Sequence, residues 1–357
     1  MKSLNSTFLV NKNNLFETRF SNESFLISKK DKLILKMESY ALTSNNITYA
    51  VLGEKLGYWN FFPVNKPYGI IPVWGLAKVV FSIYENISIG DRYYGYFPMS
   101  TYIKLNPERI TSYGFTDGSS HRKLLPSVYN NYANVSQMVE EKIEYHPIIK
   151  PLFLTSFLNY YFLKDENFFN AEQIILTSAS SKTALSLAYL LNENQSKDKK
   201  NIIGITSKKN FEFVETVKFY DQVVSYSDIK SEIKKNKSLI IDFSGNSDFL
   251  NKISNYLGCL LKYICLIGLA DWSSKMDFKT LSNAKFFFAP DHAEKRYKLM
   301  GVKETTLLAA TKMEDFINII KSWMKLTYIK DSKALEKKYI EILKGNLDPT
   351  KGYLVRL

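Results

Sequence analysis

The chain has 357 residues, 45% of them apolar and 15% aromatic, and its 48 Lys and Arg against 35 Asp and Glu give a net charge of +13. That length allows two domains, and the apolar share is enough to bury a core, which excludes a disordered chain. Cys259 and Cys265 are the only cysteines, which excludes a disulfide framework and a four-cysteine zinc site and fits a reducing, cytoplasmic setting.

Met1–Phe20 alternates polar and apolar residues and lacks the apolar block of a secretory signal. Residues 1–150 carry short β-branched and aromatic runs punctuated by Gly, Pro and Asn, among them Lys32–Met37, Pro72–Phe81 and Asp91–Phe97. These predict strands in a compact, β-barrel-like domain. From 151 to 289 apolar strands alternate with amphipathic helices. Ile174–Thr177, Ile202–Thr206, Gln222–Ser225, Leu239–Phe243 and Tyr263–Gly268 read as strands. Lys182–Asn192, Asn210–Phe219 and Asp248–Leu257 read as helices between them. That order predicts a parallel sheet with helices on both faces. Residues 290–357 hold helices at Met313–Trp323 and Ser332–Leu343 and end in the strand-like Gly352–Leu357.

The most apolar long stretch, Tyr256–Ala270, is interrupted by Lys262 and falls short of the about 20 residues that a membrane span needs. No membrane partner is expected. The basic residues are 42 Lys and 6 Arg, spread along the chain, with runs at Lys197–Lys200 and Lys234–Lys237 set among Asn, Ser and Asp. Nucleic-acid recognition favours the bidentate Arg fork, so this composition argues against a nucleic-acid partner.

The chemical signal sits between a buried strand and a helix, at Thr177-Ser-Ala-Ser-Ser-Lys-Thr-Ala184. A dinucleotide-binding βαβ unit places its glycines there, so that backbone amides approach a pyrophosphate at the helix N-terminus. This turn has no glycine, but Ser178, Ala179, Ser180 and Ser181 are small, and serine hydroxyls add donors. Lys182 adds a charge on the first helical turn and Thr183 follows it. An ordinary Ser-capped helix reads the same way. The second strand ends Ile205-Thr-Ser-Lys-Lys-Asn210, with no acid to take a ribose 2′-hydroxyl. Ser207, Lys208 and Lys209 suit a 2′-phosphate instead, and a solvated lysine pair is the alternative.

Several segments resemble the medium-chain dehydrogenase/reductase superfamily, in particular its zinc-independent quinone and enoyl reductases. They are Met37–Gly53, Ile87-Ser-Ile-Gly-Asp-Arg92, Tyr220-Asp-Gln-Val-Val-Ser-Tyr226, Phe243-Ser-Gly245 and Leu266-Ile-Gly268. Gly57–Pro63, Pro72-Val-Trp-Gly75, the Ser-Ala-Ser-Ser-Lys-Thr turn and Phe288-Ala-Pro290 resemble an uncharacterised, domain-of-unknown-function branch of it. The resemblance implies an α/β fold: a GroES-like β-rich domain at 1–150, completed by a return segment at 290–357, around a Rossmann-type doubly wound parallel sheet at 151–289. It implies NADP (NADPH) as cofactor, a small-molecule substrate, and homodimerisation through an edge strand of the nucleotide domain.

Zinc-dependent members of that superfamily use Cys, His and Glu in the first domain. Here residues 1–150 contain no cysteine, and His121 and His146 lack metal-ligand spacing, so no metal is expected. His292, after Ala289-Pro-Asp291, reads as a turn or helix start. The resemblance places a tyrosine proton donor near Tyr49, with Asn45 and Asn46 to orient a carbonyl or the cofactor amide. Tyr58 and Trp59 would line an aromatic substrate pocket. It maps Ser178, Ser181 and Lys182 to the pyrophosphate turn, Ser207, Lys208 and Tyr226 to the 2′-phosphate and adenosine end, and Ser244 and Gly268 to the nicotinamide half. Two readings stay open: an NADPH-dependent reductase of an activated C=C or carbonyl, and a catalytically inactive dehydrogenase-fold protein that binds nucleic acid or a protein partner.

Overall fold

The β-branched and aromatic runs of the first 150 residues become strands because their side chains bury on sheet faces. The computed structural model describes residues 3–193, 199–268 and 283–357, so Lys197 of the first lysine run and the end of Tyr256–Ala270 lie outside the described residues. Ten strands come first: β1 (Ser3–Asn11), β2 (Asn14–Phe25), β3 (Leu33–Leu42), β4 (Tyr68–Gly69), β5 (Pro72–Ser82), β6 (Arg92–Pro98), β7 (Tyr102–Leu105), β8 (Pro107–Thr111), β9 (Gly114–Asp117) and β10 (Asn131–Asn134). Six more follow: β11 (Gln173–Leu176), β12 (Asn201–Thr206), β13 (Gln222–Ser225), β14 (Ser238–Asp242), β15 (Leu261–Leu266) and β16 (Ala284–Phe286). The last two are β17 (Lys325–Ile329) and β18 (Lys351–Val355).

The chain divides into two units. The first holds the residues up to Ile148 with Lys325–Leu347 and Lys351–Leu357, and the second holds Ile149–Met324 with Asp348–Thr350. The return to the first unit therefore falls at 325 and not at 290. The helices Ala289–Met300 and Val302–Ile320 count with the second unit.

In the first unit a nine-stranded sheet runs β17-β18-β3-β5-β6-β10-β9-β8, with β7 also on β3, beside a three-stranded sheet β2-β1-β4. In the second unit the order is β13-β12-β11-β14-β15-β16, all parallel. Counted within that sheet the order is 3-2-1-4-5-6, the Rossmann arrangement, whose strand order reverses between β11 and β14. Ile175, Ile203, Ile205, Ile240, Leu250 and Ile253 fill its core and are essentially unexposed. The fold is thus the GroES-like β-rich domain plus Rossmann-type sheet that the resemblance implies. Among the described residues no helix is long and apolar enough to cross a membrane.

Two helices depart from the sequence reading. Ser44–Val51 is helical, within Met37–Gly53, the segment that resembles the superfamily's early active-site strand and loop. Its start is fixed by Asn46, whose Oδ1 accepts from the Thr43 amide at 2.7 Å, as the third residue of a capping box does. His146–Asp165 is a 20-residue helix carrying Pro151. Phe153 and Phe157 bury on it, and its apolar residues are not gathered on one stripe, so no helical period stands out.

At the reversal point Asp242 ends β14 with a fully buried carboxylate. Thr177 Oγ1 and Ser244 Oγ each donate to Oδ1 at 2.6 Å, and the Gly245 amide donates to Oδ2 at 2.8 Å. Thr177 Oγ1 also accepts from the amides of Phe243 at 2.9 Å and Ser244 at 3.2 Å. A buried carboxylate is tolerated only with such donors. Thr177→Val keeps the shape and removes the hydroxyl. It is expected to cost about 2–4 kcal/mol, because buried partners are left unpaired. Urea unfolding measures this, and an unchanged midpoint would show that the network contributes nothing to stability.

Candidate functional site

In the second unit the turn after β11 is held from three directions. Ser178 sits in the left-handed region, at φ +46°, a conformation that costs a non-glycine residue about 1 kcal/mol or more. Its amide donates to Tyr226 Oη at 2.8 Å. The buried Ala179 donates its amide to Ile205 O at 2.9 Å and accepts from Tyr220 Oη at 2.9 Å. Ser180 Oγ accepts from Asn210 Nδ2 at 3.0 Å. Ser181 Oγ accepts from the Ala184 amide at 3.2 Å, so Ser181 caps the helix Lys182–Glu193. The glycine missing from the turn is found on the next strand. A Cβ at Gly204 would stand 3.0 Å from Ala179 Cβ and 2.8 Å from the Tyr220 ring, so Gly204 lets the turn lie close against β12.

The first helical turn holds Thr183, whose carbonyl accepts from Ser156 Oγ at 2.7 Å. Lys182 Nζ reaches Pro349 O at 3.4 Å, so this amine is engaged by the segment 348–350. Burial pushes it down to about 8, and the nearby Asp348 opposes that shift. At the end of β12, Ser207, Lys208 and Lys209 are all exposed. Tyr226 follows β13, and its ring meets Phe249 edge-on with centroids 4.8 Å apart. Ser244 is buried with its hydroxyl committed to Asp242, and the Gly268 amide donates to Asp242 O at 3.2 Å. Ser178 to Thr183 thus stand together, as do Tyr226 and Ser178. In this unit Asp242 is the residue that sequence reading missed, and Thr177, quoted only as the start of the turn, is its partner. The available signal was an acid closing a buried strand at the fourth position of the sheet.

In the first unit Tyr49 is buried on the helix Ser44–Val51. Its Oη accepts from Asn45 Nδ2 at 2.7 Å and from Trp74 Nε1 at 3.1 Å. Both partners are donors only in these bonds, so the two lone pairs are used and the Tyr49 O–H is left to donate. Burial, with the neighbouring Tyr58, pushes its pKa up, and hydrogen bonding with Trp74, Tyr96 and Asn45 partly offsets that. The ring centroids of Tyr58 and Tyr96 lie 4.6 and 5.5 Å away. Tyr58 Oη pairs with Tyr129 Oη at 3.3 Å, which closes an aromatic nest.

The other expected residues of this unit serve packing. Asn46 uses its amide on the helix cap and, through Nδ2, on Pro72 O at 3.2 Å. Both polar atoms of its side chain thus take part in holding the helix start in place. Trp59 is buried where a Cβ at Gly53 would come within 2.1 Å of its Nε1, so it wedges against backbone and does not join Tyr49. Trp74, absent from the expected set, is the group that does. No local pattern marks it, because its partner lies 25 residues away.

Among the described residues, no group of three or more His, Cys, Asp or Glu side chains is placed to hold a metal ion. His292 lies in the helix Ala289–Met300 and stacks on Phe287 with centroids 4.0 Å apart. His121 Nε2 meets Phe61 O at 3.2 Å.

Residues 40–348 match the family described as "Protein of unknown function (DUF2855)". No curated protein matches the chain. Among solved structures, CurA from Vibrio vulnificus in complex with NADPH is 12% identical, with a TM-score of 0.62 over 98% of each chain. The yhdH oxidoreductase from Salmonella enterica in complex with NADP is 12% identical, with a TM-score of 0.54 over 100% of both chains. A mutant form of enoyl thioester reductase from Candida tropicalis is 10% identical, with a TM-score of 0.56 over 99% of this chain and 100% of the other. The chain therefore has the medium-chain dehydrogenase/reductase fold that its sequence resembles.

Lys182 is expected to titrate near 8. Methylation of the lysines with labelled formaldehyde, followed by NMR, reads the value directly. Titration near 10.4, the ordinary lysine value, would place Nζ in solvent and away from Pro349.

Proposed function

We propose that the chain, which belongs to the DUF2855 family of proteins of unknown function, is an NADPH-dependent, zinc-independent reductase. It transfers hydride to an activated C=C or carbonyl of a small apolar or aromatic substrate, of the quinone or enoyl type. The observation that carries this reading is the end of β12, where Ser207, Lys208 and Lys209 are exposed and no acid stands. It lies one strand from a helix-opening turn in a 3-2-1-4-5-6 sheet, where dinucleotides bind in such folds. NADPH and NADP in the solved CurA and yhdH structures support it.

The residues present fit the dinucleotide at the adenosine end, through Ser207 and the two lysines. They also fit it at the turn, through small side chains, the left-handed Ser178 and the close approach at Gly204. One point does not fit: the Ser178 amide is taken by Tyr226. When bound, NADPH supplies the hydride. Tyr49 donates its O–H to the substrate oxygen, while Asn45 and Trp74 hold that hydroxyl in the donating orientation. Tyr58 contributes an aromatic wall beside it. The same reading carries a homodimer formed on an edge strand of the parallel sheet.

The occupied Ser178 amide is the one observation that favours the second reading, a catalytically inactive protein that binds nucleic acid or a protein partner. Steep salt dependence of RNA or DNA binding, without dinucleotide binding, would carry it.

Calorimetric titration with NADPH and NADH tests the reductase. NADPH is expected to bind more tightly, and binding of neither sinks the reading. Replacing Lys208 and Lys209 by Ala is expected to weaken NADPH roughly tenfold and leave NADH nearly unchanged, since only the 2′-phosphate loses charge-assisted partners. Tyr49→Phe is expected to lower turnover on the order of 100-fold at unchanged NADPH affinity. Unchanged turnover would remove Tyr49 from the donor role.

A further inference from the structure

Tyr226 reaches a long way from its strand. It follows β13, and its amide donates to Thr206 O at the end of β12 at 3.0 Å. Its hydroxyl passes on to the turn after β11, where Oη accepts from the Ser178 amide at 2.8 Å and lies 3.4 Å from Ser178 Oγ. The ring leans edge-on against Phe249 of the helix after β14. One partly buried side chain therefore lies across the carboxyl ends of neighbouring parallel strands, on the side where such sheets take their ligands. Its oxygen sits on the turn amide that a phosphate oxygen would use.

We infer that Tyr226 is a latch on the dinucleotide turn: its hydroxyl stands in for a pyrophosphate oxygen on the Ser178 amide and must leave before a dinucleotide can bind. This rests on the assignment of that turn to the dinucleotide, and it adds regulation of the same site. A phenol oxygen is an adequate acceptor for a backbone N–H, so in the closed turn the Ser178 amide is satisfied. An anionic phosphate is the stronger acceptor, so the bond exchanges when the ligand arrives. Opening costs the Tyr226–Ser178 bond, and the site's affinity is lowered by that amount. The sequence expectation gave Tyr226 the opposite sign, as a ligand of the adenosine end.

Tyr226→Phe separates the two roles. It removes one oxygen, keeps the ring on Phe249 and leaves the Ser178 amide without its acceptor. Calorimetry is carried out on the full chain, wild type and variant, with NADPH, NADH and inorganic pyrophosphate as probes. The latch predicts that every ligand bound by the wild type binds the variant more tightly, roughly fivefold for one neutral hydrogen bond. Weaker or equal binding by the variant overturns the latch while leaving the reductase reading standing. If the wild type binds no dinucleotide but the variant gains pyrophosphate binding, the latch holds and the reductase reading fails. If neither protein binds any probe, both fail. Amide exchange gives a readout that needs no ligand: the Ser178 N–H, observed by NMR, is expected to exchange faster in Tyr226→Phe. An unchanged rate would show that Tyr226 does not hold this amide.

Discussion

A carboxylate taken out of water must be met by donors, and the donors of Asp242 set the geometry of the second unit. Burial pushes its carboxyl up, while the hydroxyls of Ser244 and Thr177 and the amides of Gly245 and Ser244 pull it back. Thr177 directly follows β11 and Asp242 ends β14, so one side chain ties together the two strands at which the order reverses. The turn from Ser178 to Ser181 leaves directly from that tie. Asp242 therefore fixes the point from which that turn departs. The left-handed Ser178 is sustained in the same way, since a strained dihedral persists only where its surroundings over-determine it.

Glycine in a dinucleotide turn does two jobs, a positive φ and the absence of a side chain at close range. Here they are divided. Ser178 takes the dihedral, and Gly204 on the adjacent strand supplies the space against Ala179. A pattern that looks for both in one short segment finds neither. The net charge of +13 likewise loses its apparent simplicity. Lys182 is drawn to a carbonyl of the segment 348–350, whereas Lys208 and Lys209 stand in solvent at a strand end. The same residue type has different chemistry according to what its surroundings leave exposed.

The parallel sheet was legible because buried strands and amphipathic helices leave periodic traces within about ten residues. Gln222–Ser225 and Ser332–Leu343 have the boundaries that their apolar pattern predicts. The turn after β11 could be located for a related reason, as the junction of two such patterns. What sequence could not show depends on distant partners. Trp74 meets Tyr49 across 25 residues, and Tyr226 meets Ser178 across 48. The role of Asn46 was hidden by a helix start that looks like a loop until its cap is seen. The boundary near 325 was hidden because helices before and after it have similar texture.

The nine-stranded sheet carries its own history in its strand order. β18 lies between β17 and β3, so Lys351–Val355 fills an interior place beside a strand made more than 300 residues earlier. During synthesis the second unit, contained in Ile149–Met324 but for Asp348–Thr350, emerges before that place can be filled. Until then β3 keeps an open edge towards β18, and exposed edges invite pairing with other chains. The long sequence separation also makes this closure a slow, late event. The β-rich unit, although its first strand leads the chain, is the last of the two to be finished.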